Sequence, residues 1–298
     1  MMRHRSYLCL LPLVVVACGG GNDPARETPE LVIGGEGTDA HAASLYQMPT
    51  PNELFSLVRD MAGASQEKML NPAANASRYV SLKGRAVNFG VYATDLVFAS
   101  YFRMNAEVAR YYLTTKRMAE GLGIASAFTE DDFIRLERNL ARGNSDSLEV
   151  ISSEAYMQAY AKLQDEKMGP VLAMVLAGGW VESMHLVIRQ IEMHGRNEAL
   201  LARVAEQKVT LEHLVDMMAE HADDADVQGL RKRLIAVRDV YDHITVKRSA
   251  PKGPTASGRM VLGDDVTMEM TDEKYMELVK VVEALRADLT RPEDEQNV

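Results

Sequence analysis

Three polar side chains interrupt a long apolar segment, residues 86–102, and they are among the residues most able to do chemistry. Asn88, Tyr92 and Asp95 are spaced i, i+4 and i+7, so on a helix they share one face. The rest of the segment is apolar almost all round, which is typical of a buried central helix. A carboxyl group in that setting must find a partner or bind a proton.

A second apolar segment, residues 170–190, carries Glu182, His185 and Arg189 in a similar stripe. Trp180, the only tryptophan, stands beside them. The internal acid argues against a membrane-spanning helix, because ionisable residues are costly in lipid. Arg189 is a natural partner for an acidic side chain.

Two interpretations of these residues are open. Asp95, Glu182 and His185 could line a polar pocket between the two helices, where they would bind a ligand or act as general acid and base. Alternatively, they form a buried network of ion pairs and hydrogen bonds that fixes the register of the helices, or they line a solvated edge. The sequence favours the second, structural interpretation.

Glu182 and His185 also form an E-x-x-H motif, the spacing that directs both side chains to a metal in ferritin-like bundles. Such a site requires a second copy and two further glutamates, and the sequence contains no second copy. It also lacks a G-x-S-x-G motif, a phosphate-binding loop and a dinucleotide fingerprint. We therefore predict no metal site and no cofactor, and we name no catalytic residue beyond the acid/base alternative above.

The N-terminus has the pattern of a bacterial lipoprotein signal peptide. Arg3 and Arg5 precede an apolar run, residues 7–17, that is too short to span a bilayer. The run ends in Val15-Val16-Ala17-Cys18, which resembles a lipobox, and three glycines follow. In lipoproteins that cysteine is acylated and the peptide is cut before it, so the resemblance implies lipid, such as palmitate, on Cys18. The alternative is an ordinary secretory signal that contains a cysteine.

Cleavage before Cys18 would change the chemistry of the chain. Cys9 leaves with residues 1–17, which hold two arginines and no acid, so the net charge falls from −10 to −12. The one remaining cysteine would carry lipid, which excludes a disulfide, a thiol nucleophile and a cysteine metal site. The acidic balance also argues against nucleic acid as a partner, because phosphate neutralisation needs an excess of Lys and Arg.

The residue after the cysteine is Gly19 rather than aspartate. In enterobacterial lipoproteins an aspartate at this position retains the protein in the inner membrane, so the resemblance implies the outer membrane. We therefore expect a cell-envelope protein that its lipid holds in the membrane. Its further partner would be an envelope protein or a small ligand.

Helix caps and breakers divide the rest of the chain. Residues 18–45, beginning with the lipidated cysteine, predict a flexible tether, residues 46–290 an α-helical domain, and residues 291–298 a disordered acidic tail. Capping residues and apolar periodicity predict helices over 50–62, 81–104, 105–120, 129–143, 145–167, 170–195, 197–222, 224–247 and 272–289. The pattern around Gly263-Asp264-Asp265 fits a small β-hairpin at 260–268. The predicted fold class is all-α, a single multi-helix bundle.

The stretches NFGVYATDL (88–96) and AGGWVESMHL (177–186), together with the lipobox, resemble an uncharacterised family of predicted lipoproteins of the Bacteroidetes type. The resemblance covers most of the mature chain and implies an all-helical envelope domain. It implies no activity, and it marks Asp95, Trp180 and Glu182 as motif residues without an assigned role. Our expectation is a membrane-anchored binding protein, with an envelope enzyme that uses Asp95, Glu182 and His185 as the alternative.

Overall fold

The computed structural model describes Phe55 and residues 66–196, 198–243, 245–249 and 265–295. These residues belong to one compact unit of the chain, Ala42–Val298. The predicted signal peptide, Cys18, the tether and the helix predicted at 50–62 lie outside the described residues, apart from Phe55. The described part contains all the candidate residues of the two apolar segments.

Helices dominate the described residues, and the all-α prediction is confirmed. The α-helices are α1 (Leu82–Tyr101), α2 (Asn105–Gly121), α3 (Glu130–Arg142), α4 (Ser145–Asp165), α5 (Gly169–His194), α6 (Glu198–Ala219), α7 (Ala225–Tyr241) and α8 (Asp272–Leu289). Short 3₁₀ turns form at Gln66–Met69, Ala73–Arg78, Ala125–Ala127 and Glu293–Glu295. With the exception of α7, the helices begin and end within a few residues of the predicted positions.

The two apolar segments form the centre of the bundle. Helices α1 and α5 pack against each other over much of their lengths, with α2 and α4 beside α1 and with α6 and α8 beside α5. From Ala86 to Tyr101 every residue of α1 is buried, and so is every residue of α5 from Val171 to Ile188. A helix that is covered on all sides needs no polar face, which explains the absence of an amphipathic stripe in these two segments.

Two glycines let the central helices come into backbone contact. A Cβ atom on Gly90 would overlap the carbonyl oxygen of Val175, and one on Gly178 would overlap the carbonyl oxygen of Val87. Glycine within a helix costs about 1 kcal/mol relative to alanine. Close approach of α1 and α5 is the reason these positions carry it.

The ends of several helices follow directly from local sequence. Thr129 and Asp132 form a reciprocal capping box at the start of α3, and Gly143 ends that helix with a φ of 63°. Ser81 caps α1 by accepting a hydrogen bond from the backbone N–H of Gly84 at 2.9 Å. These caps explain why the boundaries could be predicted.

The β-hairpin differs from the predicted one. The strand Asp265–Glu269 includes the predicted 266–268 arm, but its antiparallel partner is Thr245–Ser249 rather than 260–262. Correspondingly, α7 ends at Tyr241 instead of continuing to 247. The β-branched pair Thr245-Val246 suits a strand, and the pairing joins two segments that are 15 residues apart in the sequence. Residues 260–262 lie outside the described residues.

The predicted disordered tail contains an ordered turn. The side chain of Arg78 donates to Asp294 at 2.9–3.0 Å and to Glu295 at 2.5 Å. The carboxylate of Glu293 accepts hydrogen bonds from the backbone N–H groups of Val80 and Ser81. These charge-assisted contacts hold residues 293–295 against the start of α1, so the prediction of disorder is wrong for this part of the tail.

Within the described residues, α5 is long and apolar enough to cross a membrane by length and composition. Its apolar window is entirely buried inside the bundle. The central helix of a bundle passes the same test, so this property does not distinguish a membrane span from a core helix.

Candidate functional site

The candidate residues meet at an irregular segment, residues 66–80, which we call the strap. It consists of the 3₁₀ turns Gln66–Met69 and Ala73–Arg78 with their connections, and it contacts α1, α2, α5 and α8. Where such a segment is buried, as at Met69–Asn71, its backbone N–H and C=O groups need partners. The polar residues of the central helices supply those partners.

The middle of the strap is held by three side chains from α1 and α2. Asp95 accepts a hydrogen bond from the backbone N–H of Asn71, with 3.1 Å between nitrogen and Oδ2. The hydroxyl of Tyr111 donates to the carbonyl of Asn71 at 2.8 Å, and that of Tyr92 donates to the carbonyl of Pro72 at 2.9 Å. The face formed by Tyr92 and Asp95 therefore binds main chain, not solvent.

Glu182 forms a bidentate ion pair with Arg286 of α8. Nε and Nη2 of Arg286 donate to the two carboxylate oxygens at 3.0 and 2.9 Å. Nη2 also donates to the carbonyl oxygen of Met69 at 3.3 Å. Glu182 is fully buried and the side chain of Arg286 is 17% exposed, so the pair lies at the edge of the core, where it joins α5, α8 and the strap.

His185 bridges the strap and α8. Its Nδ1 lies 2.7 Å from Oε1 of Glu283, and its Nε2 lies 3.1 Å from the carbonyl oxygen of Met69. Both ring nitrogens face oxygen acceptors, and the tautomer of the ring decides which of them donates. Arg189 donates to the second oxygen of Glu283 at 2.9 Å and connects the network to the surface.

Asn88 anchors the far end of the network. Its Nδ2 donates to the carbonyl of Leu289 at 3.0 Å, and its Oδ1 accepts from Nδ2 of Asn71 at 3.4 Å. The same Asn71 amide donates to the hydroxyl of Tyr79 at 3.1 Å, and Tyr79 donates to the carbonyl of Thr290 at 2.7 Å. The end of α8 is thereby tied to the strap and to α1.

Burial and charge set the ionisation of the acids. Burial, followed by the negative charge of Glu182, holds the pKa of Asp95 well above its usual range, and Arg286 only partly opposes this. Burial would raise the pKa of Glu283, but the hydrogen bond from His185 and the nearby positive charges outweigh it, so the pKa is lowered. Burial alone would lower the pKa of Arg286, and Glu182 reverses that effect.

The structure brings six of the seven candidate residues into this network, and it leaves Trp180 out. Trp180 is 5% exposed, and its Nε1 has no hydrogen-bond partner among the described residues. Asp95 and Glu182 are 0% exposed and His185 is 4% exposed. The three groups therefore converge in a closed core and not in an open pocket between the two helices. Each of them contacts the strap, another member of the network or both.

Sequence reasoning missed five members of the network: Asn71, Tyr79, Tyr111, Glu283 and Arg286. Asn71 stands next to a proline in a segment without periodicity, which offered no signal. Arg286 did give a signal in the sequence. It lies four residues after Val282 and three before Leu289, so it interrupts the buried apolar stripe of α8. A basic residue in such a stripe indicates a buried acidic partner.

The E-x-x-H pair does not form a metal site. Glu182 turns to Arg286, whereas His185 turns to Glu283 and to the strap. In the ranges that the structure describes, no group of three or more His, Cys, Asp or Glu side chains is arranged to hold a metal ion.

An open cavity of about 340 Å³ lies at one end of the network, between the start of α1, helix α7 and the end of α8. Three cations, Lys83, Arg233 and Arg291, and two acids, Asp288 and Glu293, surround it. Arg233 pairs with Asp288 at 2.7 Å. The remaining lining residues are Tyr79, Ser81, Gly84, Val87, Asn88 and Leu289. The lining of the cavity thus combines apolar residues with charges of both signs.

Comparisons of the chain with protein-family models, with curated proteins and with solved structures give no significant match. The functional argument therefore rests on the residues and on their geometry.

Proposed function

We propose that this protein is a lipoprotein of the cell envelope, anchored in the outer membrane through lipid on Cys18, whose helical domain is a non-catalytic binding module. The lipobox-like end of the apolar N-terminal run supports the anchor. Stable anchoring requires more than one acyl chain, and a lipoprotein cysteine carries two or three. With a mature charge of −12, the protein would be repelled by anionic lipid, so the acyl chains would provide the attachment.

The separation of the buried acids from the open cavity carries the argument for binding rather than catalysis. Asp95, Glu182 and His185 are enclosed and engaged with the strap and α8. A general acid or base must come within hydrogen-bond reach of a substrate. The cavity at the start of α1, in contrast, is open, and its volume falls in the range of small-ligand sites, about 300–1,000 Å³.

The lining of the cavity favours a small zwitterionic ligand. Lys83 pairs with Asp226 at 3.6 Å, and Asp288 pairs with Arg233 at 2.7 Å and with Arg291 at 3.8 Å. A ligand carboxylate would compete for the two cations Lys83 and Arg291, and a ligand ammonium for Asp288. An apolar group would contact Val87 and Leu289. Free amino acids and short peptides have this combination of groups. We therefore assign the cavity as the ligand site of the module.

Labelling with palmitate tests the anchor. Cells that express the wild-type chain should incorporate label into this protein, and the Cys18→Ala variant should not. Equal labelling of the two chains contradicts lipidation at Cys18. Fractionation of the labelled membranes then distinguishes the outer from the inner membrane.

Ligand screening tests the cavity. The full chain in detergent is titrated with the L-amino acids and with a set of dipeptides, and its Tm is recorded. At least one probe should raise the Tm of wild type and of Arg203→Trp, a surface control, but not of Arg233→Trp, which fills the cavity mouth. A complete lack of shifts, or shifts that persist in Arg233→Trp, would overturn the assignment.

A further inference from the structure

Asp95 and Glu182 are both fully buried in the core, and the negative charge of Glu182 adds to the effect of burial in raising the pKa of Asp95. Both oxygens of Glu182 already accept from Arg286. Oδ2 of Asp95 accepts from the N–H of Asn71, but its Oδ1 has no donor among the described residues, although the residue is 0% exposed. A buried carboxylate oxygen without a donor is strongly disfavoured.

Among the described residues, Arg286 opposes the raised pKa of Asp95 only in part, because its guanidinium is already paired with Glu182. The titratable and charged groups of the network that face this part of the core are Tyr92 (α1), Tyr111 (α2), Glu182, His185 and Arg189 (α5), Glu283 and Arg286 (α8), and Tyr79 (strap). Arg286 is engaged by Glu182, while His185 and Arg189 are engaged by Glu283. A proton on Oδ1 of Asp95 would solve both problems, because the O–H could donate to Glu182.

We propose that Asp95 is a neutral carboxylic acid in the folded protein, that it shares its proton with Glu182, and that this proton locks the strap onto the bundle. Loss of the proton places a second negative charge beside Glu182. Arg286 can offset that charge only by turning from the carbonyl of Met69, and water can offset it only by entering beneath the strap. The strap is thus a pH-sensitive clamp, closed more tightly in acid.

The clamp has a quantitative signature. An Asp95 that is neutral when the strap is closed and ionised when it is open releases one proton on opening. The equilibrium constant for opening then rises about tenfold per pH unit above the ordinary pKa of aspartate, about 3.9, until Asp95 ionises in the closed form as well. Tyr79 and Asn88 connect Asn71 to the cavity, so opening also changes the cavity wall.

Infrared spectroscopy of the full chain in detergent tests the shared proton. At pH 7 exposed carboxyl groups are ionised, so the C=O stretch of a protonated carboxyl must come from a buried acid. We expect this band in wild type and in Asp132→Asn, a control in the α3 capping box, and its loss in Asp95→Asn. In Glu182→Gln the band should shift, because its acceptor changes. Absence of the band in wild type, or its persistence in Asp95→Asn, overturns the proposal.

Hydrogen exchange of residues 66–80 tests the clamp. Protection factors, corrected for the intrinsic effect of pH on exchange, should fall by about tenfold per unit between pH 5 and pH 7 in wild type and in Asp132→Asn. Asp95→Asn should lack this slope, and Glu182→Gln should reduce it. The same slope in wild type and Asp95→Asn would show that the strap does not depend on this proton.

Discussion

Arg286 donates two hydrogen bonds to the carboxylate of Glu182, at 3.0 and 2.9 Å, across 104 residues of sequence. The same guanidinium contacts the carbonyl of Met69, so the central helix α5, the last helix α8 and the strap meet at one side chain. Loss of one partner of a buried ion pair leaves the other charge uncompensated. This contact should therefore dominate the stability of the network.

Arg286→Met should lower the free energy of unfolding by about 3–5 kcal/mol, because Glu182 would remain buried without a partner. Arg203→Met is the matched control. Arg203 pairs with Glu206 at 2.7 Å on the surface, where both side chains are about half exposed, and its loss should cost at most about 1 kcal/mol. Urea unfolding of both variants gives the comparison. Equal losses would contradict a special role for the buried pair.

Gly90→Ala should destabilise the protein by about 1–3 kcal/mol, although alanine is the better helix former. The added Cβ would collide with the backbone of Val175 and push α1 away from α5. Gly229→Ala, within α7, meets no atom within 4 Å and should raise stability by about 0.5–1 kcal/mol. Thermal unfolding of the two variants should show stability changes of opposite sign. An unchanged stability of Gly90→Ala would mean that α1 and α5 can separate at little cost.

Glu283→Gln should lower stability at pH 7 by about 1 kcal/mol, and the difference from wild type should vanish in acid. The pKa of Glu283 is lowered in the folded state despite its burial, because the hydrogen bond from His185 and the nearby positive charges favour the carboxylate. Its stabilisation is therefore present above the ordinary value of about 4.3 and is lost as the pH falls through the lower, folded value. Urea unfolding at pH 7, 5 and 3 measures this. A stability difference that is independent of pH would rule out the charge of Glu283 as its cause. Glu192→Gln serves as the control, because Glu192 is an exposed partner of Arg189.

Ser81→Ala should cost about 1 kcal/mol, since the hydroxyl both caps α1 and donates to Glu293 at 2.6 Å. Ser153→Ala is a control within α4, where the hydroxyl donates to the carbonyl of Glu149 in its own helix; its effect should stay within about 0.5 kcal/mol. Hydrogen exchange at the first turn of α1 should rise in Ser81→Ala alone. Unchanged exchange there would show that Glu293 suffices as a cap.

The candidate network was predicted in part from the sequence. The spacing of Asn88, Tyr92 and Asp95 correctly places them on one face of α1, and the interpretation as a buried polar network agrees with the contacts. Trp180 does not join it. Asn71 and Arg286 could not be paired with Asp95 and Glu182 in advance, because nothing in local sequence indicates which distant segments will pack together.

The sequence by itself determined the helices and which of them are central. Periodicity, capping residues and the all-round apolar character of α1 and α5 act over a few neighbouring residues, so they can be read locally. Only the tertiary structure decided what the polar residues contact and which strands pair. Hydrogen bonds such as the one between Asn71 and Asp95, or the pairing of Thr245–Ser249 with Asp265–Glu269, form only when packing brings separated segments together. For that reason the sequence could name Asp95 and His185 as candidate residues but not show that they contact the strap.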